Sequence, residues 1–198
     1  MHRITWLPAI AALLALTGAP ARADPVTVTR FIAPDAALAP AQGTIVITTA
    51  PGLDPAALDL RPWLDAVAHE LAAKGFAVSS AANPDRIVEV RVERTTAHID
   101  RTRGPVSVGV GGDSGGYRSG FGLGIGFSLG GGPKDLVTTR LVVVVRDRAS
   151  GNPLWEARAE NTENLRGKRG GVDVAAPRLA AAAFTGFPGR SGQTITVK

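Results

Sequence analysis

Residues 141–147 read Leu-Val-Val-Val-Val-Arg-Asp, and no run in the chain restricts the fold more. Five consecutive apolar residues rich in Val, bounded by charges and the turn-forming stretch Arg148–Pro153, are too short for a core helix and suit a buried strand. An all-apolar strand implies cover on both faces and a place in the middle of a sheet. Two further segments alternate strictly: Val88, Val90 and Val92 with Glu89, Arg91 and Glu93, and Trp155, Ala157 and Ala159 with Glu156, Arg158 and Glu160. Period-2 alternation places each apolar set on one face and each charged set on the other. The second follows the Arg148–Pro153 turn and therefore forms a hairpin with the Val run.

Val26–Ile32 reads as a first strand, and Gly43–Thr49 as a second or as its continuation, with Pro34 and Pro40 breaking the chain between them. The clearest helix follows. Leu60, Trp63, Leu64, Val67 and Leu71 share one stripe at helical spacing, Asp59 is the expected N-cap, and Pro62 falls in the first turn. Gly75 is the expected C′ residue, with Phe76 folding back on the last turn. A second, Ala-rich helix is expected from Asp173 to about Phe184, and Thr194–Val197 as a short edge strand. The fold class is α+β: a mostly antiparallel or mixed sheet with two main helices packed on it and a Gly-rich, β-like insertion.

That insertion spans residues 104–132, where 13 of 29 residues are Gly. Phe121, Leu123, Ile125, Phe127 and Leu129 alternate with Gly122, Gly124, Gly126 and Ser128, so large side chains line one face and the other is bare. An uncharged strand without Lys or Pro is poorly protected against pairing with another chain. Tyr117, Phe121 and Phe127 are accordingly candidates for partner binding. Arg166, Lys168 and Arg169 form the densest basic cluster and are candidates for an anionic envelope component or an acidic protein.

The N-terminus has the layout of an export signal: Arg3, an apolar run from Ile4 to Leu16, then Ala21-Arg22-Ala23. The apolar core is shorter than the roughly 20 residues that span a bilayer. Cleavage before Asp24 divides the chain into a signal peptide, 1–23, and a single domain, 24–198, which places the protein in the periplasm. Residues 1–23 carry Arg3 and Arg22 and no acidic residue, so the net charge of +5 falls to +3. No other segment is a candidate transmembrane span. The absence of Cys excludes disulfides, thiolate chemistry, Cys-ligated metals and a lipid-bearing N-terminal Cys.

Taken in order, the segments resemble a family of bacterial envelope proteins, domain-of-unknown-function family 4136. The resemblance rests on Leu71–Phe76, Pro84-Asp85 with its alternating strand, the Gly-rich tract, Leu141–Asp147 with Pro153-Leu-Trp-Glu156, and the closing helix before Phe187-Pro188. It implies an α+β envelope domain and no catalytic residues. Many members are lipoproteins; this chain lacks the Cys that would carry the lipid.

Catalytic chemistry finds little support. His69 lies four residues after Asp65 on the helix surface, and His98 precedes Asp100 by two on a strand, without a third ligand at matching spacing. Gly109–Gly115 lacks the helix that a dinucleotide loop requires and the Lys-Ser/Thr ending of a phosphate loop. The basic residues lack the interleaved aromatics of a nucleic-acid platform. The expectation is therefore a non-catalytic domain without metal, cofactor or nucleic-acid partner. It would act by protein or envelope contacts through an exposed strand edge and the Gly-rich segment. Two alternatives are a hydrolase using carboxylates among Asp85, Glu89, Glu93, Asp147, Glu156 and Glu160, and a structural surface protein that self-assembles.

Overall fold

The structure is a computed structural model, and it describes residues 24–34, 36, 38, 43–80, 83–99 and 134–198. The expected signal peptide, residues 1–23, and the Gly-rich segment, with Tyr117, Phe121 and Phe127, lie outside the described residues. Strands β1 (Val26–Ile32) and β2 (Thr44–Thr49) precede helix α1 (Arg61–Ala73), then β3 (Ala77–Val78), β4 (Arg86–Ile99), β5 (Lys134–Asp147) and β6 (Pro153–Asn164). Helix α2 (Val172–Phe184) and β7 (Thr194–Val197) close the chain. Among the described residues the strands form one mixed sheet in the order β3-β2-β4-β5-β6-β1-β7, and the class is α+β as expected.

β2 is a separate strand, not a continuation of β1; it lies parallel to β4, with Ile45 opposite Arg86 and Thr49 opposite Val90. A parallel neighbour requires a crossover, and α1 supplies it. The long strands β4, β5 and β6 are antiparallel neighbours, and β3 and β7 stand at the two ends of the strand order. β2 pairs with β4 only over 86–90, so among the described residues the nine residues 91–99 of β4 have a strand on one side only.

Helix α1 buries Trp63, Val67 and Leu71, with Leu60 and Leu64 half-buried, as its periodicity requires. Its N-cap is Leu60, without a side-chain cap, rather than Asp59. The preceding turns already carry Leu60 into a helical conformation, and its carbonyl accepts from Trp63 N and Leu64 N. At the other end Gly75 has φ of 87°, Gly75 N donates to Ala72 O, and Phe76 N donates to Leu71 O. This is the doubly bonded left-handed cap that Gly permits without Cβ strain. It returns Phe76 to the core.

Both helices pack on the same face of the sheet. Their buried residues join Val88, Val90, Leu141, Val143, Val145, Trp155, Ala157 and Ala159 in one core. Trp155 stacks on Phe184 at 5.2 Å and donates its indole N–H to Pro188 O at 2.9 Å. Arg30 points into this layer from β1. It is 3% exposed, and its guanidinium donates to the carbonyls of Ala182, Ala183 and Thr185, satisfying the C-terminus of α2. Burial lowers the proton affinity of this guanidinium.

One expectation is overturned. β5 is central, but among the described residues it is covered on one face only. Leu141, Val143 and Val145 are buried, whereas Val142 and Val144 are half-buried on a face lined by charges. An unbroken apolar run gives no account of which side the helices take.

Candidate functional site

Two surfaces stand out: the face of the sheet opposite the helices and the end of the sheet where β4 and β5 terminate. The first is built by the charged halves of the alternating strands. Glu89, Arg91 and Glu93 of β4, Arg140, Val142, Val144 and Arg146 of β5, and Glu156 and Arg158 of β6 line a shallow depression of about 420 Å³, with Ala50 and Pro51 at its rim.

The face is laced with ion pairs. Arg146 Nε lies 2.9 Å from Glu89, Arg158 Nε 2.6 Å from Glu156, and Arg140 Nη2 2.6 Å from Glu160, with Glu93 at 3.6 Å from Arg140 Nη1. Arg158 also stands over the Phe31 ring at 5.3 Å. Thus Glu89, Glu93 and Glu156, three of the carboxylates considered for a hydrolase, do converge on one depression, with Glu160 beside it. Each lies within ion-pair distance of a guanidinium of the same face.

At the second surface β4 and β5 stay paired to their last residues, Ile99 opposite Lys134, so the segment 100–133 leaves and re-enters the sheet between adjacent strands. β6 ends alongside, with Asn164 opposite Leu136, and the basic loop follows directly. Leu165 N donates to Asp135 O at 2.8 Å, and the Arg166 guanidinium bridges the Asp135 carboxylate at 2.9 Å. His98 Nδ1 pairs with the other carboxylate oxygen. Asp135 therefore ties the paired ends of β4 and β5 to the basic loop. Its proton affinity is lowered, chiefly by the His98 hydrogen bond and then by Arg166.

The loop is held from the helix-covered side as well. Arg94 of β4 donates to Gly170 O at 2.7 Å. A Cβ on Gly170 would stand 2.6 Å from Asn164 O and 2.8 Å from the Leu165 backbone, so only Gly permits this close approach. Beneath, Glu163 is 7% exposed and is paired with Arg178 of α2 and with Asn161. The side chain of Arg166 is 81% exposed and Lys168 is exposed, whereas Arg169 is half-buried.

The sequence marks the Gly-rich segment and the basic loop as separate candidates; the fold brings the basic loop to the strand ends that flank the Gly-rich segment in sequence. Asp135, Arg94, Glu163 and Arg178 escaped notice because their partners are far along the chain. His98 pairs with Asp135, while Asp100 is outside the described residues. His69 is a surface residue, its side chain 82% exposed. Among the described residues no group of three or more His, Cys, Asp or Glu is placed to hold a metal, and no helix is long and apolar enough to cross a membrane.

No curated protein matches the chain. Among solved structures, a dodecamer of a single-substitution variant of PelC from Paraburkholderia phytofirmans is similar at 18% identity and a TM-score of 0.46, covering 84% of this chain and 99% of that one. A second PelC dodecamer structure from the same organism gives 16% identity and a TM-score of 0.46 with the same coverage. A PDZ domain protein from Parabacteroides distasonis is similar at 15% identity and a TM-score of 0.50, covering 87% of this chain and 39% of that one. At such identities a likeness speaks to the fold alone. The model of a family described as "Domain of unknown function (DUF4136)" matches residues 48–189, well over half of the chain, and the chain belongs to that family.

Proposed function

We propose that this chain is an exported, non-catalytic domain of the cell envelope that acts by contact, with a protein or an anionic envelope component, through the end of the sheet where β4 and β5 terminate. The observation that carries this reading is the tie through Asp135. It fixes the basic loop, with exposed Arg166 and Lys168, against the paired ends of β4 and β5, the strands that residues 104–132 connect in sequence. Docking by strand pairing has two candidates: the uncharged Phe121–Leu129 stretch, and residues 91–99 of β4, which among the described residues have a strand on one side only.

The test is a crosslinking pull-down from intact cells. Full-length protein captures a defined envelope partner, and a form with residues 104–132 replaced by a short turn does not, while keeping its circular dichroism spectrum. Loss of the fold in the deletion, or equal capture by both forms, would sink the reading. Signal cleavage before Asp24 is read directly by N-terminal sequencing of the protein recovered from the periplasm.

A further inference from the structure

The charges on the open face are ordered, and the order has a consequence for assembly. The strand registers align them in ranks across β4, β5 and β6: Arg146 opposite Ile87; then Glu89, Val144 and Glu156; then Arg91, Val142 and Arg158; then Glu93, Arg140 and Glu160. The net charge of successive ranks is +1, −2, +2 and −1, each separated by two residues, or about 7 Å. Reversing that series changes the sign of every member.

We infer that this face docks a second copy of the chain, sheet against sheet with strands antiparallel, about a two-fold axis running across the strands. Reversed order sets the Glu89–Glu156 rank against the Arg91–Arg158 rank of the other copy, twice by symmetry; in the outer ranks Arg146 meets the other copy's Arg140, which stands between Glu93 and Glu160 in a rank of net charge −1. Val144 meets the other copy's Val142, so the two half-buried valines lose water at the centre while charges form the rim. Arg91 is exposed and, among the described residues, lacks a carboxylate partner; the second copy's Glu89 supplies one. The face has no net charge, so a uniformly acidic or basic partner would meet like charge in half the ranks. Three strands by four ranks, with Val46 and Thr48 of β2 and Thr27, Thr29 and Phe31 of β1 beside them, give about 550 Å² per copy and roughly 1,100 Å² in all, just under the usual range of specific interfaces, so the dimer is weak and reversible.

This inference goes beyond the contact reading above and does not depend on it. Sedimentation velocity on residues 24–198 tests it across protein concentration at low and high salt. The expected result is a concentration-dependent dimer that high salt dissociates, since rim charges are screened. R91E/R158E and E89R/E156R each put like-charged ranks together and should self-associate at least about 30-fold more weakly. Mixing the two restores opposition in every rank and should restore a dimer, and R91K/R158K should behave as wild type. Circular dichroism of each variant separates lost association from lost fold. A wild-type monomer at all concentrations, an R91E/R158E dimer, or folded variants that do not pair on mixing would overturn the inference. So would loss of the dimer on deleting 104–132, which would assign self-association to that segment. R91E/R158E should still capture the envelope partner.

Discussion

The two faces of β4, β5 and β6 are made from the same strands and have opposite chemistry. Towards the helices, Val88, Val90, Leu141, Val143, Trp155, Ala157 and Ala159 are buried at 0–2% exposure. Away from them, one residue along each strand, Arg and Glu alternate around half-buried Val142 and Val144. The covered face is held by dispersion and burial, which fail when volume is lost. The open face is held by ion pairs in water, which are worth little individually. Stability is therefore concentrated on one side, and the proposed self-recognition on the other.

The sharpest way to break this contrast is a pair of truncations on β5. Leu141→Ala, at 0% exposure, should cost about 3 kcal/mol in urea unfolding through the cavity it leaves, whereas Val142→Ala, its immediate neighbour, should cost under about 1 kcal/mol. Equal effects would mean that the open face is covered.

A charge on the covered side should behave quite unlike charges on the open side. Arg30→Met removes the guanidinium that donates to three carbonyls at the end of α2 and should destabilise by about 2–3 kcal/mol, seen in urea unfolding as a lowered midpoint. Glu89→Gln, which breaks the 2.9 Å pair with Arg146, should change the same midpoint by no more than about 0.5–1 kcal/mol.

The smallest effect concerns pH. The Asp85 carboxylate accepts hydrogen bonds from the backbone N–H and hydroxyl of Thr44, and the backbone bond above all lowers its proton affinity. A lowered folded-state value contributes stability above the ordinary value of 3.8, and the contribution is lost as pH falls through the folded value. The stability gap between wild type and Asp85→Asn should thus be open at neutral pH and close in acid. A gap that widens in acid would show the sign to be wrong.

Much of the fold is legible in short-range pattern. Val26–Ile32, the alternation at Val88–Val92 and Trp155–Ala159, and the Leu60–Leu71 stripe each become the element that their spacing predicts. The cap fails at Asp59 because cap propensity is a preference of isolated helix ends, and the turns before Leu60 set this one. Of the candidate site, the residue types are legible but their neighbours are not. Arg166 and Asp135 are 31 positions apart, and His98 and Asp135 are 37 apart. Only the meeting of β4, β5 and β6 at one end joins them.

By itself the amino-acid order determined which side chains share a face, because a strand turns successive residues to opposite sides whatever surrounds it. It determined the ends of α1 nearly as well, through Pro62 and Gly75. What covers each face was decided only in three dimensions. A run such as Leu141–Val145 is equally compatible with helices on one side or both, and the choice depends on where two crossovers lead α1 and α2. Both pass on the same side, and the charged ranks are left open to solvent or to a second copy.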